Sequence, residues 1–256
     1  MSEMYRINLY RFFVFFVIFG AWEASVQIGW IRPFWVSSPS LILERAYSQI
    51  ITGELLFHTG VTLSEALSGL GAGVIIGVLL GAALGGSRTL GEVVQPFIMA
   101  LNALPRVALA PLLILYVGIG FASKFLLAFS LVVVIVMINT FEGIRATDPN
   151  LINAMKILGA GRIRLFTMVL LPNSVPWILA SIRVSIAFAM VGAIVGEFIS
   201  SRSGIGYLID LASGAYDTTG MMVPLFVIMI CAVSLDVIVV QITKYLLRWR
   251  ENRLSA

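Results

Sequence analysis

A chain of 256 residues with 59% hydrophobic and only 12% charged side chains carries about half the charge of an ordinary soluble domain. That much apolar surface exceeds what one soluble core can bury, so composition predicts an all-α integral membrane protein with several spans and excludes a soluble globular domain. The net charge of +4 comes from basic residues set between apolar blocks rather than along one stripe, which argues against nucleic acid as a partner. A single cysteine, Cys231, excludes an intrachain disulfide, and with a single histidine, His58, no metal-ligand spacing exists.

The first apolar run, 9–28, has Trp22 and Trp30 towards its outer end and predicts a span. No clear signal-peptidase site follows it and further spans do, so it reads as a retained helix. A polar and amphipathic stretch covers 29–60, with Pro33, Ser37 to Ser40 and the run SLILERAYSQI. Five more spans are predicted at 64–85, 92–118, 122–141, 176–198 and 221–246, with a loop over 142–175. Six spans thus make one transmembrane domain over 1–256.

The second span contains GLGAGVIIGVLLGAALGG, in which Gly69, Gly73, Gly77, Gly81 and Gly85 recur every four residues. They form one smooth ridge where a second helix backbone approaches closely. Pattern alone does not say whether that helix belongs to the same chain or to a second copy. The third span reads LNALPRVALAPLLILYVGIG, where Pro105 and Pro111 remove backbone donors and predict a broken or kinked helix. Such breaks are tolerated in lipid where protein or a water-filled cavity surrounds them, so the region is either a structural kink or a wall of the translocation path. Arg106, between the two prolines, is a helix-end anchor or a route-lining residue for an anionic solute.

Charge orients the spans. With the N-terminus in the cytoplasm, the inside positions hold Arg6, Arg11, Arg88, Arg145, Lys156, Arg162, Arg164, Lys244, Arg248, Arg250 and Arg253, and the outside positions hold Arg32, Arg45, Lys124 and Arg202. That bias places both termini and the 142–175 loop in the cytoplasm. Glu23, Arg183, Glu197 and Asp236 lie in or near spans, where ionisable groups face protein or water. Arg183 and Glu197 are candidates for the pathway or gate, with structural pairing or snorkelling as the alternative. His58, near the outer surface, reads as a hydrogen-bonding residue, and no nucleophile–base or paired-carboxylate arrangement supports an enzyme. No inverted repeat supports a secondary transporter or channel, the rival reading.

Within the loop, Asp148 is placed to cap a helix with Pro149 at its first position. Leu151, Ala154, Met155 and Leu158 then share one face, and Gly159 ends or bends the helix. A second short helix is predicted, with Leu165, Phe166, Val169 and Leu170 on its apolar side, closed by Pro172 and Pro176. The basic residues Lys156, Arg162 and Arg164 make this hairpin either a lipid-surface element or a docking element for a cytoplasmic partner.

The stretch NAMKILGAGRIRLFTMVLLPNSVPWI resembles the cytoplasmic loop motif of permease subunits of bacterial ABC importers, which runs Glu-Ala-Ala, three residues, Gly, then apolar positions ending in Leu-Pro. Asn153, Ala154 and Met155 fall at the opening triplet, Gly159 at the glycine, and Leu171 with Pro172 at the end. Asn153 replaces the acidic residue and Met155 the second alanine. FWVSSPSLI, LPRVALAPLLILYVGIG and VGEFISSRSGIGYLI resemble the nitrate, sulfonate and taurine branch, so the likeness spans nearly the whole chain. The resemblance implies a MetI-like, type I importer permease with a cytoplasmic coupling hairpin. It implies coupling to an ATPase through Asn153, Ala154, Met155, Lys156, Leu158, Gly159, Ala160, Arg162, Phe166, Leu171 and Pro172. It also implies a dimer of permease chains, two ATPase subunits carrying ATP and Mg, a substrate-binding protein outside, and a bacterial inner-membrane location. The chain itself binds no cofactor in this reading. The solute it implies is a small one, an anion such as nitrate, a sulfonate or taurine, or else a pyrimidine-like nutrient. None of the three lysines follows a glycine, so no Walker A pattern is present and the ATPase is expected in a separate chain.

Overall fold

The computed structural model describes residues 3–247, and every regular element among them is helical. Arg248, Arg250 and Arg253, part of the inside charge count, lie outside the described residues. α1 (Glu3–Gln27) is the first long apolar helix, followed by the single turn α2 (Pro33–Val36) and by α3 (Pro39–Ile51). Ser38 caps α3 by accepting the Leu41 N–H. Glu23 of α1 accepts the Ser40 N–H at 2.9 Å and the Ser40 hydroxyl at 2.7 Å, so a carboxylate of α1 sits at the positive end of α3.

α4 (Glu54–Gly85) starts ten residues before the predicted second span. Its first turns are polar in composition, yet Leu55, His58 and Thr62 are buried, and buried partners carry the helix past its apolar stretch. The third predicted span is two helices, α5 (Arg88–Ala103) and α6 (Ala110–Val117). A 3₁₀ turn at Arg106–Leu109 joins them, and the pair is bent by 76°. Pro105 makes the break, whereas Pro111 lies in the first turn of α6, where no helical donor is lost.

α7 (Phe121–Arg145) leads to the short helices α8 (Pro149–Ile157) and α9 (Arg162–Leu165). One π-helical turn, Phe166–Leu170, carries α9 straight into α10 (Leu171–Ile199). Here the structure differs from the sequence reading. The second helix of the hairpin is not closed off before the fifth span; it is the beginning of that span. Pro172 and Pro176 both lie inside this continuous helix without ending it, and the π-helical turn Phe166–Leu170 immediately before Pro172 is where the backbone ladder shifts next to the missing donor. The true break in the predicted 142–175 loop is therefore confined to the ends of α8. α11 (Ile205–Gly214) and α12 (Thr218–Leu246) are the last elements among the described residues. Among the described residues five helices are long and apolar enough to cross a membrane, or six if the bent pair counts as one broken span rather than a re-entrant loop.

α7 is the centre of the bundle. Half of its apolar window is buried, against 6% for α1 and 11% for α12, which are peripheral. The glycine ridge of α4 explains how α7 gets so close. An ideal Cβ built at Gly69 would lie 2.6 Å from Ala128 Cβ, at Gly73 2.7 Å from Val132 Cβ, at Gly77 2.8 Å from the Val133 carbonyl, at Gly81 2.5 Å from the Met137 carbonyl, and at Gly85 2.9 Å from Ile144 Cβ. Every ridge glycine thus faces α7 of its own chain. A Cβ built at Gly192 of α10 would likewise lie 2.6 Å from Ala128 Cα, so α7 packs closely against two glycine-smoothed helices.

Candidate functional site

Two regions at opposite ends of the bundle concentrate the unusual chemistry. The first is the hairpin. Asp148 Oδ1 accepts the Asn150 N–H at 2.8 Å and Pro149 opens α8, as the sequence predicts. The helix stops at Gly159, whose φ of +78° is left-handed. The Gly159 N–H reaches the Lys156 carbonyl and the Ala160 N–H reaches the Met155 carbonyl, both at 3.0 Å, which is the double closure of a Schellman motif. A Cβ at Gly159 would meet nothing within 4 Å, so the glycine is there for its backbone and not for space.

Around this turn the large apolar side chains are left uncovered: Ile157 is 86% exposed, Leu158 80% and Ile163 82%. Asn153, Ala154, Lys156, Arg162 and Arg164 are exposed as well, while Met155 and Ala160 are half-buried. Ile157 and Ile163 are absent from the predicted coupling residues, though both directly flank the LGAGR turn. Phe166 points the other way: it is half-buried and its ring lies beside Gly86, next to the end of α4. Leu171 and Pro172 are half-buried at the base of α10, where Asn173 Nδ2 donates to Thr147 Oγ1 at 3.0 Å and ties the two ends of the hairpin together.

The second region lies at the far end of α4, α7 and α10, where the segment 200–204 leads into α11. Three successive backbone N–H groups are each taken by a side chain. Gly204 N–H donates to His58 Nδ1 at 2.9 Å, Ile205 N–H to Thr62 Oγ1 at 2.8 Å, and Gly206 N–H to Glu197 Oε2 at 2.7 Å. Thr62 Oγ1 in turn donates to Glu197 Oε1 at 2.7 Å. These are orphan donors of the first turn of α11, satisfied by α4 and α10. Since Nδ1 accepts, a neutral His58 carries its proton on Nε2. Gly204 has φ +107°, and a Cβ there would fall 2.1 Å from Glu197 Oε1, so only glycine fits.

Lys124 and Glu65 complete this cluster. The sequence reading counts Lys124 as an outer surface charge and gives Glu65 no role. In the structure Lys124 is 1% exposed, Glu65 3% and Glu197 1%, and Lys124 interacts electrostatically with both carboxyls. Buried ionisable groups at such a depth are tolerated when they face one another. A signal for them exists in the sequence: continuing the glycine ridge back from Gly69 at helical spacing leads to Glu65, Thr62 and His58.

The remaining candidates are committed to protein. The Arg183 guanidinium and the Asp236 carboxylate form a two-pronged pair at 2.9 and 3.0 Å between α10 and α12. Arg106 Nη1 donates to the Ser130 and Leu131 carbonyls of α7, and Nη2 to the Leu101 carbonyl at 3.2 Å and to Asn102 Oδ1. It therefore serves the broken helix at Pro105, supplying donors to backbone carbonyls around the bend. Glu197 is the one pathway candidate that joins the cluster above.

The sequence pattern of the family described as "Binding-protein-dependent transport system inner membrane component" matches residues 73–252. The riboflavin transport system permease protein RibX of Chloroflexus aurantiacus is 36% identical over 231 residues, which is 90% of this chain and 86% of that protein. The putative aliphatic sulfonates transport permease protein SsuC of Escherichia coli is 31% identical over 232 residues, or 91% of this chain and 88% of that protein. Among solved structures, the MetNI methionine ABC transporter in an inward-facing conformation has a TM-score of 0.68 over 77% of this chain and 98% of that chain. At 17% identity that likeness shows the fold alone.

Proposed function

This chain belongs to the binding-protein-dependent transport system inner membrane component family of ABC transporter permeases, and on that premise we propose that its 146–173 hairpin couples it to a separate ATPase. The family makes the chain a multi-pass transport subunit rather than an enzyme, and it replaces the reading as a secondary transporter or channel. Two such chains would form the translocation path for a small solute delivered by a binding protein. ATP and Mg would be held by two ATPase subunits beneath, at the hairpin end, with both termini in the cytoplasm. The single observation that supports coupling is the uncovered apolar group Ile157, Leu158 and Ile163, held around the left-handed Gly159 and fringed by Lys156, Arg162 and Arg164. Such a group is poorly suited to water and well suited to a partner groove.

The test is retention of the ATPase on affinity-purified permease. Gly159→Val strains the turn without a clash, by about 1–2 kcal/mol, and should release the ATPase or uncouple ATP-dependent uptake. Gly159→Asn, which tolerates the same backbone, should retain both. Normal complex and normal uptake in the valine variant would overturn the assignment.

For the solute, the sequence resemblance favours a small oxyanion-bearing molecule such as nitrate, a sulfonate or the amino sulfonate taurine, and the relative named for sulfonates supports it. The relative named for riboflavin favours a second reading, a heteroaromatic nutrient. Identification of the molecule held by the cognate binding protein separates the two.

A further inference from the structure

The cluster beneath α11 holds two carboxyls and one ammonium, all three buried. Glu65 is hydrogen-bonded to Glu197, and Lys124 acts on both. Two carboxylates only repel, so that contact needs a proton on one of them. With a single proton the three groups sum to zero charge. Without it the site keeps a buried negative charge, which is costly away from water.

The hydrogen bonds say which carboxyl holds the proton. Glu197 takes two donors, the Thr62 hydroxyl on Oε1 and the Gly206 N–H on Oε2, both at 2.7 Å. That is the pattern of an ionised carboxylate, which can only accept. Glu65 Oε2 is fully buried, and no N–H or hydroxyl reaches it. An ionised Glu65 would leave that oxygen unsatisfied, whereas Glu65 as an acid spends its O–H on Glu197.

We propose that the clasp on α11 is proton-bound: Glu65 holds a proton that it donates to the Glu197 carboxylate, and opening the clasp releases that proton to water. Once α11 lifts and water enters, Glu65 becomes an ordinary carboxyl and ionises at neutral pH. The opening constant therefore rises about tenfold per pH unit wherever only the closed form is protonated. His58 sets the opposite limit. Its Nδ1 accepts the Gly204 N–H, so a proton there removes that bond in acid. The other charged or titratable neighbours are Glu54, which acts on His58, Tyr207 of α11, whose ring centre lies 5.7 Å from that of His58, and the exposed Arg202 beside Glu65 and Lys124. Ile119, Gly120 and Phe121, where the chain enters α7, bring no charge.

The test titrates the full-length permease in dodecyl maltoside, a detergent without a carbonyl group. Infrared absorption reports the carboxylic C=O stretch, and hydrogen exchange, corrected for its intrinsic pH dependence, reports the amides of Gly204, Ile205 and Gly206. At neutral pH the wild type should show a carboxylic band. It should vanish in alkali in step with at least a tenfold loss of protection at those amides relative to α7. Acid should release the clasp as well, through His58. Glu65→Gln, whose amide N–H replaces the acid O–H, should lose the band and the alkaline release and keep the acid release. Glu197→Gln, which removes the accepting carboxylate, should weaken protection at every pH. Absence of the band from the wild type at neutral pH overturns the proposal without recourse to any variant. Alkaline release that persists in Glu65→Gln overturns it too. So does a clasp opened by Glu65→Gln and locked by Glu197→Gln, which would seat the proton on the other carboxyl.

Discussion

Alanine at ridge and off-ridge glycines of α4 should give opposite results on one helix. At Gly81 a new Cβ would lie 2.5 Å from the Met137 carbonyl oxygen and 2.6 Å from Thr140 Cβ. Carbon atoms in contact prefer about 3.5–4.0 Å, so α4 and α7 must part by about 1 Å, and a gap of that size forfeits a quarter to a half of each neighbouring contact. Overpacking of this kind costs about 1–3 kcal/mol, and Gly81 belongs at the upper end because the obstacle is backbone. At Gly85 the nearest atoms are Ile144 Cβ, Cγ2 and Cδ1 at 2.9, 3.0 and 3.1 Å, farther than at Gly81 and none of them a backbone oxygen, so the loss should be smaller, nearer about 1 kcal/mol. At Gly71 nothing lies within 4 Å, and alanine should be neutral or gain up to about 1 kcal/mol of helix propensity. Midpoints of unfolding in micelles of increasing dodecyl sulfate fraction give the ranking. Partial rescue of Gly69→Ala by Ala128→Gly, which removes the methyl 2.6 Å away, would tie the effect to the α4–α7 seam. Equal losses at Gly71 and Gly81, or no loss at either, would refute the packing argument.

Thr62→Val keeps the shape of the side chain but strands the Ile205 N–H and one Glu197 oxygen, so a loss of about 1–3 kcal/mol in thermal stability is expected. Gly204→Ala should be at least as damaging, since its Cβ cannot coexist with Glu197 Oε1 at 2.1 Å. A wild-type unfolding curve for Thr62→Val would show that the clasp on α11 is dispensable. Arg183→Asp and Asp236→Arg should each lower the yield of monodisperse protein in fluorescence-detected size exclusion, and the reciprocal exchange should restore part of it. No recovery in the double variant would separate the residues' effects from their mutual pairing.

The spans were legible because lipid forces backbone satisfaction inside each helix, leaving an apolar run as the visible trace. The bend at Pro105 and the turn at Gly159 were legible for a different reason, since a missing donor and a left-handed backbone leave particular residues behind. What escaped were features that depend on which helix lies opposite. Pro172 and Pro176 look like a stop, yet both are absorbed within one continuous helix, the first directly after a π-helical turn. Lys124 looks like a surface charge at the start of a span until Glu65 and Glu197 are placed beside it. Arg106 carries the same charge whether it meets solute or the carbonyls of Leu101, Ser130 and Leu131. In each case the residue type sets a requirement, and only the partner helix decides how it is met.

The unbroken run from Arg162 to Ile199 has a mechanical consequence. Its 38 residues form a single rod about 57 Å long at 1.5 Å per residue. Its base carries the uncovered Ile163, and its tip carries the Glu197 carboxylate. Rocking such a rod by only about 1° about its base sweeps the tip through about 1 Å, enough to stretch a 2.7 Å hydrogen bond past its working length. The π turn at Phe166–Leu170 and Pro176 lie near the rod's base, so a push on the hairpin reaches the far end as a swing of the segment above them. The grip of Thr62 and Gly206 on Glu197 is then the part of the molecule that registers angle most sensitively.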